Sequence, residues 1–204
     1  MKKILVFLAD GFEEVEAITP VDYLRRAGIE VTTVAIGTEN KAISARGIEI
    51  KADALLSGLS SEGKLSPEYW DGVVVPGGLP GADNLSASKE TCAFLIEMAA
   101  AGKFVSAICA APARVLSPLG ILTGKRFTCY PGEEKKVLAP DSASPGAVWK
   151  QDRVVVDGNI ITSRAAGTAG EFSLAIIAWF LGKAEADNLG ERVLLSPARE
   201  PKVL

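Results

Sequence analysis

Histidine is absent from all 204 residues, and this removes whole classes of chemistry. No Cys-His dyad, Ser-His-Asp triad or His-ligated zinc can be assembled, and self-association supplies none because every copy lacks the residue too. Cysteine is sparse: Cys92, Cys109 and Cys129 are the only three, with no Cys-x-x-Cys spacing. That is a poor metal set, so no metal site is expected. An odd, scattered number of cysteines also argues against a secreted disulfide framework and fits a reducing compartment. Runs of Lys or Arg are missing and the formal net charge is −3. Such a surface offers no electrostatic footprint for a nucleic-acid backbone. No apolar stretch approaches the ~18 uninterrupted residues that span a bilayer; the most apolar is Leu174 to Leu181. The N-terminus imitates a secretion signal only briefly, because Asp10, Glu13, Glu14 and Glu16 interrupt the run that starts with Ile4 to Ala9. The expectation is a cytoplasmic protein that binds neither nucleic acid nor membrane.

What is present is an ordinary globular composition, 48% apolar against 23% charged, with no shift or linker to divide it. One domain over 1–204 is expected, with a surface strap from Arg192 and a loose tail from about 197. Apolar runs of strand length, Ile4 to Ala9, Glu30 to Ile36, Gly72 to Val75 and Lys103 to Ile108, alternate with stretches of helical period. That alternation predicts an α/β fold with a mostly parallel sheet covered by helices on both faces. The first helix is expected from about Glu14 to Ala27, with Val15, Ile18, Val21, Tyr23 and Leu24 as its apolar side and Gly28 as its stop. A second is expected over Ser88 to Ala101, where Cys92 reads as core. A short helix follows over Ala110 to Leu116, then an irregular region from Pro118 to Gly146. Next comes a hairpin of Val154 to Val156 and Ile160 to Ser163, and a last long helix over Gly170 to Leu181. Functional groups of such sheets collect where strands end and helices begin. Three loops fit that place: Asp10 to Glu16, Pro76-Gly77-Gly78, and the segment around Cys109.

Cys109 stands where the strand Phe104 to Ile108 gives way to Ala110-Ala111-Pro112, the pattern of a nucleophile elbow. Amides and a helix start beyond it could stabilise negative charge on sulfur. The competing reading is an inert cysteine packed as a small hydrophobe. Glu13 and Glu14 read as first-turn carboxylates favoured by the helix dipole. Glu16 sits on a turn that could point inward. Buried beside a thiolate, its carboxyl would keep its proton, donate to the sulfur and thereby lower the thiol pKa from its usual ~8.5. Gly77-Gly78 is either a tight turn or a pair of bare amides facing an oxyanion. Cys129 is a candidate to resolve an oxidised Cys109, although strand alternation would turn it away.

Taken together, Leu8 to Glu16, Pro20 to Gly28, Val75-Pro76-Gly77-Gly78, Ala107 to Pro112 and Thr162-Ser163-Arg164 resemble the ThiJ/PfpI superfamily, most closely its DJ-1 branch. The resemblance covers roughly residues 3 to 196. It implies a flavodoxin-like three-layer α/β sandwich, a homodimer and no cofactor. It also implies that Cys109 is the elbow nucleophile, Glu16 its acidic partner, and Gly77, Gly78 and the amide of Ala110 the oxyanion donors. The resemblance also puts Arg26 and Arg46 near the dimer contact and pocket mouth, where they could attract a small anion as part of substrate binding, and adds Tyr130 to the substrate-binding residues. Many members carry histidine where this chain has Tyr130, in Thr128-Cys129-Tyr130-Pro131, and Ala165-Ala166-Gly167 replaces a common Gly-Pro. Tyrosine is a poor base at neutral pH, so peptidase activity ranks last. The leading activity implied is a glutathione-independent glyoxalase or protein deglycase acting on methylglyoxal-type dicarbonyls or glycated substrates. The alternative is an oxidative-stress sensor or redox-regulated chaperone that forms a sulfinate on Cys109.

Overall fold

The computed structural model describes residues 1–195. In chain order the elements are β1 (Lys3–Leu8), α1 (Glu14–Arg26), β2 (Glu30–Ala35), β3 (Lys41–Ile43), β4 (Glu49–Lys51), β5 (Ala54–Leu55), α2 (Leu56–Ser61), β6 (Gly72–Val75), α3 (Gly81–Ala87) and α4 (Lys89–Ala100). They continue with β7 (Phe104–Ile108), a π-helical turn (Pro112–Leu116), β8 (Arg126–Phe127), α5 (Glu134–Val137), β9 (Val148–Trp149), β10 (Val154–Asp157), β11 (Ile160–Ser163), a 3₁₀ turn (Ala166–Thr168), α6 (Ala169–Leu181) and α7 (Lys183–Arg192).

Seven strands form one sheet in the order β10, β11, β7, β6, β1, β2, β5. All pairs are parallel except β10 with β11. Strand alternation divides the core between two faces. Ile4 and Val6 meet Val21 and Leu24 of α1, Phe172 and Ile176 of α6 and Leu189 of α7. Leu5 and Phe7 meet Leu56 of α2, Leu85 of α3, and Phe94, Leu95 and Met98 of α4. Because both faces are covered, the central strands are apolar at nearly every position instead of alternating. Each fully buried Leu or Phe in these layers contributes about 1.5–3 kcal/mol. The register sets Val75 beside Ala107 and Ile108 beside Ser163, so β6, β7 and β11 end along one edge. The loops carrying chemistry therefore converge there. No helix among the described residues is long and apolar enough to cross a membrane.

Several expectations are corrected. Val15 and Ile18 of α1 are exposed, at 46% and 36%. The buried stripe is Glu16, Ala17, Pro20, Val21 and Leu24, a helical spacing that turns a carboxyl inward and two aliphatics out. The helix over 169–181 is not the last, since α7 follows it and ends at Arg192, where the expected strap begins; the loose end from about 197 lies outside the described residues. Cys92 is half-buried at the edge of α4, its thiol 3.3 Å from the Ser86 carbonyl oxygen, and its neighbour Ile96 is exposed.

Candidate active site

The strand β7 ends at Ile108, and Cys109 turns into the left-handed region with φ 64°. A side chain there costs about 1–2 kcal/mol, and the surroundings enforce it from both sides. The Cys109 amide donates to the Ser163 carbonyl at 2.9 Å, and its carbonyl accepts from the Tyr130 amide at 2.7 Å. Strain held in this way is a feature of sites where one side chain must be aimed.

Glu16 approaches from α1. The Glu13 side chain caps this helix, accepting from the Glu16 amide at 2.8 Å, and Glu16 itself is only 1% exposed. Its Oε2 accepts from the Gly77 amide at 3.0 Å, and its carboxyl and the Cys109 side chain both crowd against Gly77, close enough for each to influence the other's ionisation. Gly77 is required for this contact. A Cβ there would stand 2.7 Å from Cys109 Cβ, 2.7 Å from Glu16 Oε2 and 2.9 Å from the Ile108 oxygen. Gly77→Ala is expected to push the thiol and carboxyl apart, lowering stability by about 1–3 kcal/mol and Cys109 reactivity by about a hundredfold. A thermal melt and an alkylation time course on Cys109 check this; wild-type behaviour in both would contradict it. Gly78, with φ 90°, lies against the backbone of residues 11–13 and turns its amide to the Cys109 sulfur, as does Ala110.

Burial is the main influence on both acids of the pair. It pushes the Glu16 carboxyl up from 4.5 to about 7, reinforced by Glu13 and opposed by the Cys109 bond and the Gly77 and Ala166 amides. The Cys109 thiol is also raised: burial comes first, then the charge of Glu16 and the bond to it, against the Ala110 and Gly78 amides. This corrects the expected lowering of the thiol. Desolvation disfavours any charge here, so carboxyl and thiol compete to carry a single negative charge. Once Glu16 is protonated its repulsion ends, and its bond favours the thiolate instead.

These groups face a cavity of about 410 Å³ that reaches solvent past Arg46, Leu79 and Tyr130 and is also lined by Glu13, Gly78, Ala110 and Glu133. Arg46 is delivered by the turn between β3 and β4. That hairpin is tied to the first loop by Gly11 amide to Ile43 carbonyl at 2.7 Å and Ala45 amide to Phe12 carbonyl at 2.8 Å. The DJ-1/PfpI family pattern matches residues 2–179.

The chain belongs to the DJ-1/PfpI family. It is 36% identical over 194 residues to the Parkinson disease protein 7 homolog of Danio rerio, covering 95% of this chain and 97% of that protein. It is 32% identical to a deglycase of Pyrococcus horikoshii over 79% of this chain and 89% of that one. The chain spans only 41% and 46% of the DJ-1 homologs B and A of Arabidopsis thaliana, which it also matches. Oxidized DJ-1 of Toxoplasma gondii superposes with a TM-score of 0.85 at 34% identity, over 95% of this chain and 98% of that chain.

Seen as a DJ-1/PfpI protein, the chain gathers Cys109, Glu16, Gly77, Gly78, Ala110, Tyr130 and Arg46 at one place. Arg26 is the exception among the expected site residues. It lies at the far end of α1, about 15 Å along the helix axis from Glu16, and its Nε binds Asp22 at 2.8 Å. Cys129 is fully buried in the core. Glu13, Ala45, Leu79 and Glu133 line the cavity and escaped the sequence reading. For Glu13 the available signal was its place three residues before Glu16; for Glu133 there was none, since its turn has no regular period. Among the described residues no group of three or more Cys, Asp or Glu side chains is arranged to hold a metal ion.

Proposed function

We propose that this DJ-1/PfpI chain is a cofactor-independent glyoxalase acting on methylglyoxal-type dicarbonyls, with Cys109 as nucleophile. The observation that carries this reading is the placement of the Glu16 carboxyl beside the Cys109 thiol, with the Gly78 and Ala110 amides turned to the sulfur, in a cavity open to solvent. In the proposed sequence, Glu16 accepts the thiol proton as sulfur bonds to the aldehyde carbon. The amides of Gly78 and Ala110 stand beside the oxygen on which charge develops. That oxygen takes the proton back from Glu16, giving a hemithioacetal. Glu16 then removes the hydrogen from the first carbon and returns it to the second, while the hydroxyl proton of the first carbon passes to the oxygen of the second, leaving a lactoyl thioester. Water cleaves the thioester, releasing lactate and restoring the thiol. The sum is methylglyoxal plus water to lactate, with no external oxidant or reductant.

Carbonyl adducts on protein side chains are substrates of the same groups in this scheme, in keeping with the name of the Pyrococcus relative. Incubation with methylglyoxal in the absence of glutathione should yield lactate; none forming would remove the proposal. A homodimer belongs to it. Val15, Ile18 and Ile48 leave an exposed apolar depression of about 540 Å³ beside α1 that a second copy would cover. Sedimentation showing only monomers would remove that part.

A second reading is favoured by the carboxyl poised to bond an oxidised sulfur, and by the oxidised state of the Toxoplasma neighbour. Two molecules of peroxide would convert the Cys109 thiolate to a sulfinate, releasing two of water, with Glu16 donating to it. Selective gain of two oxygens at Cys109 without lactate formation would favour this reading over the first.

A further inference from the structure

The cavity wall contains an ion cluster that the chemistry above does not use. Arg114 lies on the π-helical turn just after Cys109, and its side chain is 22% exposed. Its Nε and Nη2 donate to Glu133 Oε2 and Oε1 at 2.9 and 3.0 Å, and its Nη1 donates to both Asp83 oxygens at 2.8 and 3.0 Å. Lys136 Nζ adds a bond to Glu133 Oε2 at 2.7 Å. Glu133 is 17% exposed and faces the cavity, whereas Arg114 and Lys136 line a separate depression beside Asp83. The wall is thus layered, with Glu133 at the cavity that holds Cys109 and its cationic partners lining the neighbouring depression. A bidentate Arg fixes the plane of a carboxylate as well as its position. The Glu133 amide also donates to the Tyr130 carbonyl at 3.0 Å, closing the turn that carries Tyr130. Burial works against the charge of Glu133, but the bonds from Arg114 and Lys136 outweigh it and hold the carboxyl below its ordinary range.

We propose that Glu133, locked in place by Arg114, determines specificity: it makes the cavity accept neutral or cationic carbonyl compounds and reject those with a carboxylate beside the carbonyl. Resting on the glyoxalase reading, this narrows its substrates to methylglyoxal-like dicarbonyls and adducts on basic side chains, against α-oxo acids such as glyoxylate. Among the described residues of this chain, the charged groups lining the cavity are Glu13, Glu16 and Glu133 with Arg46.

The test compares alkylation of Cys109 by neutral iodoacetamide and anionic iodoacetate, read by mass spectrometry of the Cys109 peptide. In wild type the amide-to-acetate rate ratio should exceed that of free glutathione by about threefold to tenfold and shrink as salt rises. In Glu133→Gln the ratio should fall about fivefold, with the iodoacetamide rate changed less than twofold. An unchanged ratio, equal collapse of both rates, or a wild-type ratio that matches glutathione at every salt concentration would overturn the proposal; so would a Cys109 that neither reagent reaches. The wild-type salt series stands even where the variant does not fold. A methylglyoxal and glyoxylate turnover arm separates the two ideas: a shifted alkylation ratio with no turnover of either compound sinks the glyoxalase reading and keeps the charge selection.

Discussion

Cys109→Ala is expected to reduce lactate formation from methylglyoxal to the rate of buffer alone, a loss of about a thousandfold or more. The size of the effect follows from what the chain lacks. There is no histidine to activate a substitute nucleophile. The other two thiols are placed elsewhere, Cys129 sealed in the core and Cys92 on α4 away from the cavity lining. The fold should tolerate the change, because Ala keeps the Cβ at φ 64° and both backbone bonds of residue 109. A melting temperature within a few degrees of wild type makes the activity loss attributable to sulfur. Lactate formed at the wild-type rate by this variant would end the proposed mechanism.

Glu16→Gln should change the pH dependence of stability more than any other single substitution in the site. The Glu16 carboxyl rises from 4.5 to about 7 on folding, with burial as the first cause. A raised pKa means the folded state binds the proton more tightly. The associated stability is complete below 4.5 and is lost as pH rises through 7. The shift corresponds to roughly 3 kcal/mol, which for a chain of this size moves the melting temperature by about 6–12 °C. Wild type should lose that stability between pH 5 and pH 8, whereas the glutamine variant, which has no proton to lose there, should not. Melting curves of the two proteins at both pH values give the difference. Parallel losses would mean the carboxyl ionises in the fold as it does in water.

The sheet was legible because its strands are buried on both faces. Ile4 to Leu8 and Val73 to Val75 are unbroken apolar runs bounded by Asp10 and Gly77, and runs of that length flanked by turn residues have few other homes. Cys109 was legible for a related reason: small residues directly after a buried strand leave only its side chain to stand clear. α1 was harder to orient. Its helical period is satisfied equally by an aliphatic stripe at Val15 and Ile18 or by the stripe containing Glu16, and only the arrival of Gly77 and Cys109 from distant strands selects the second. α7 has a thin apolar side, Ala186 and Leu189, and a Lys183–Asp187 pair one turn apart; its signal is local propensity more than burial. Glu133 and Arg114 lie 19 residues apart with no shared element. Their meeting depends on the path of the segment after the π-helical turn, which no periodicity encodes.

The pH profile of Cys109 alkylation by iodoacetamide, in wild type and in Glu16→Gln, reports directly on the shared proton. A coupled pair loses its first proton near 7 and its second well above it, so the wild-type rate should rise in two separate steps. The variant should show a single step, with the one near pH 7 gone. Superimposable one-step profiles in both proteins would mean that sulfur and carboxyl ionise independently, and the account would fail at its centre.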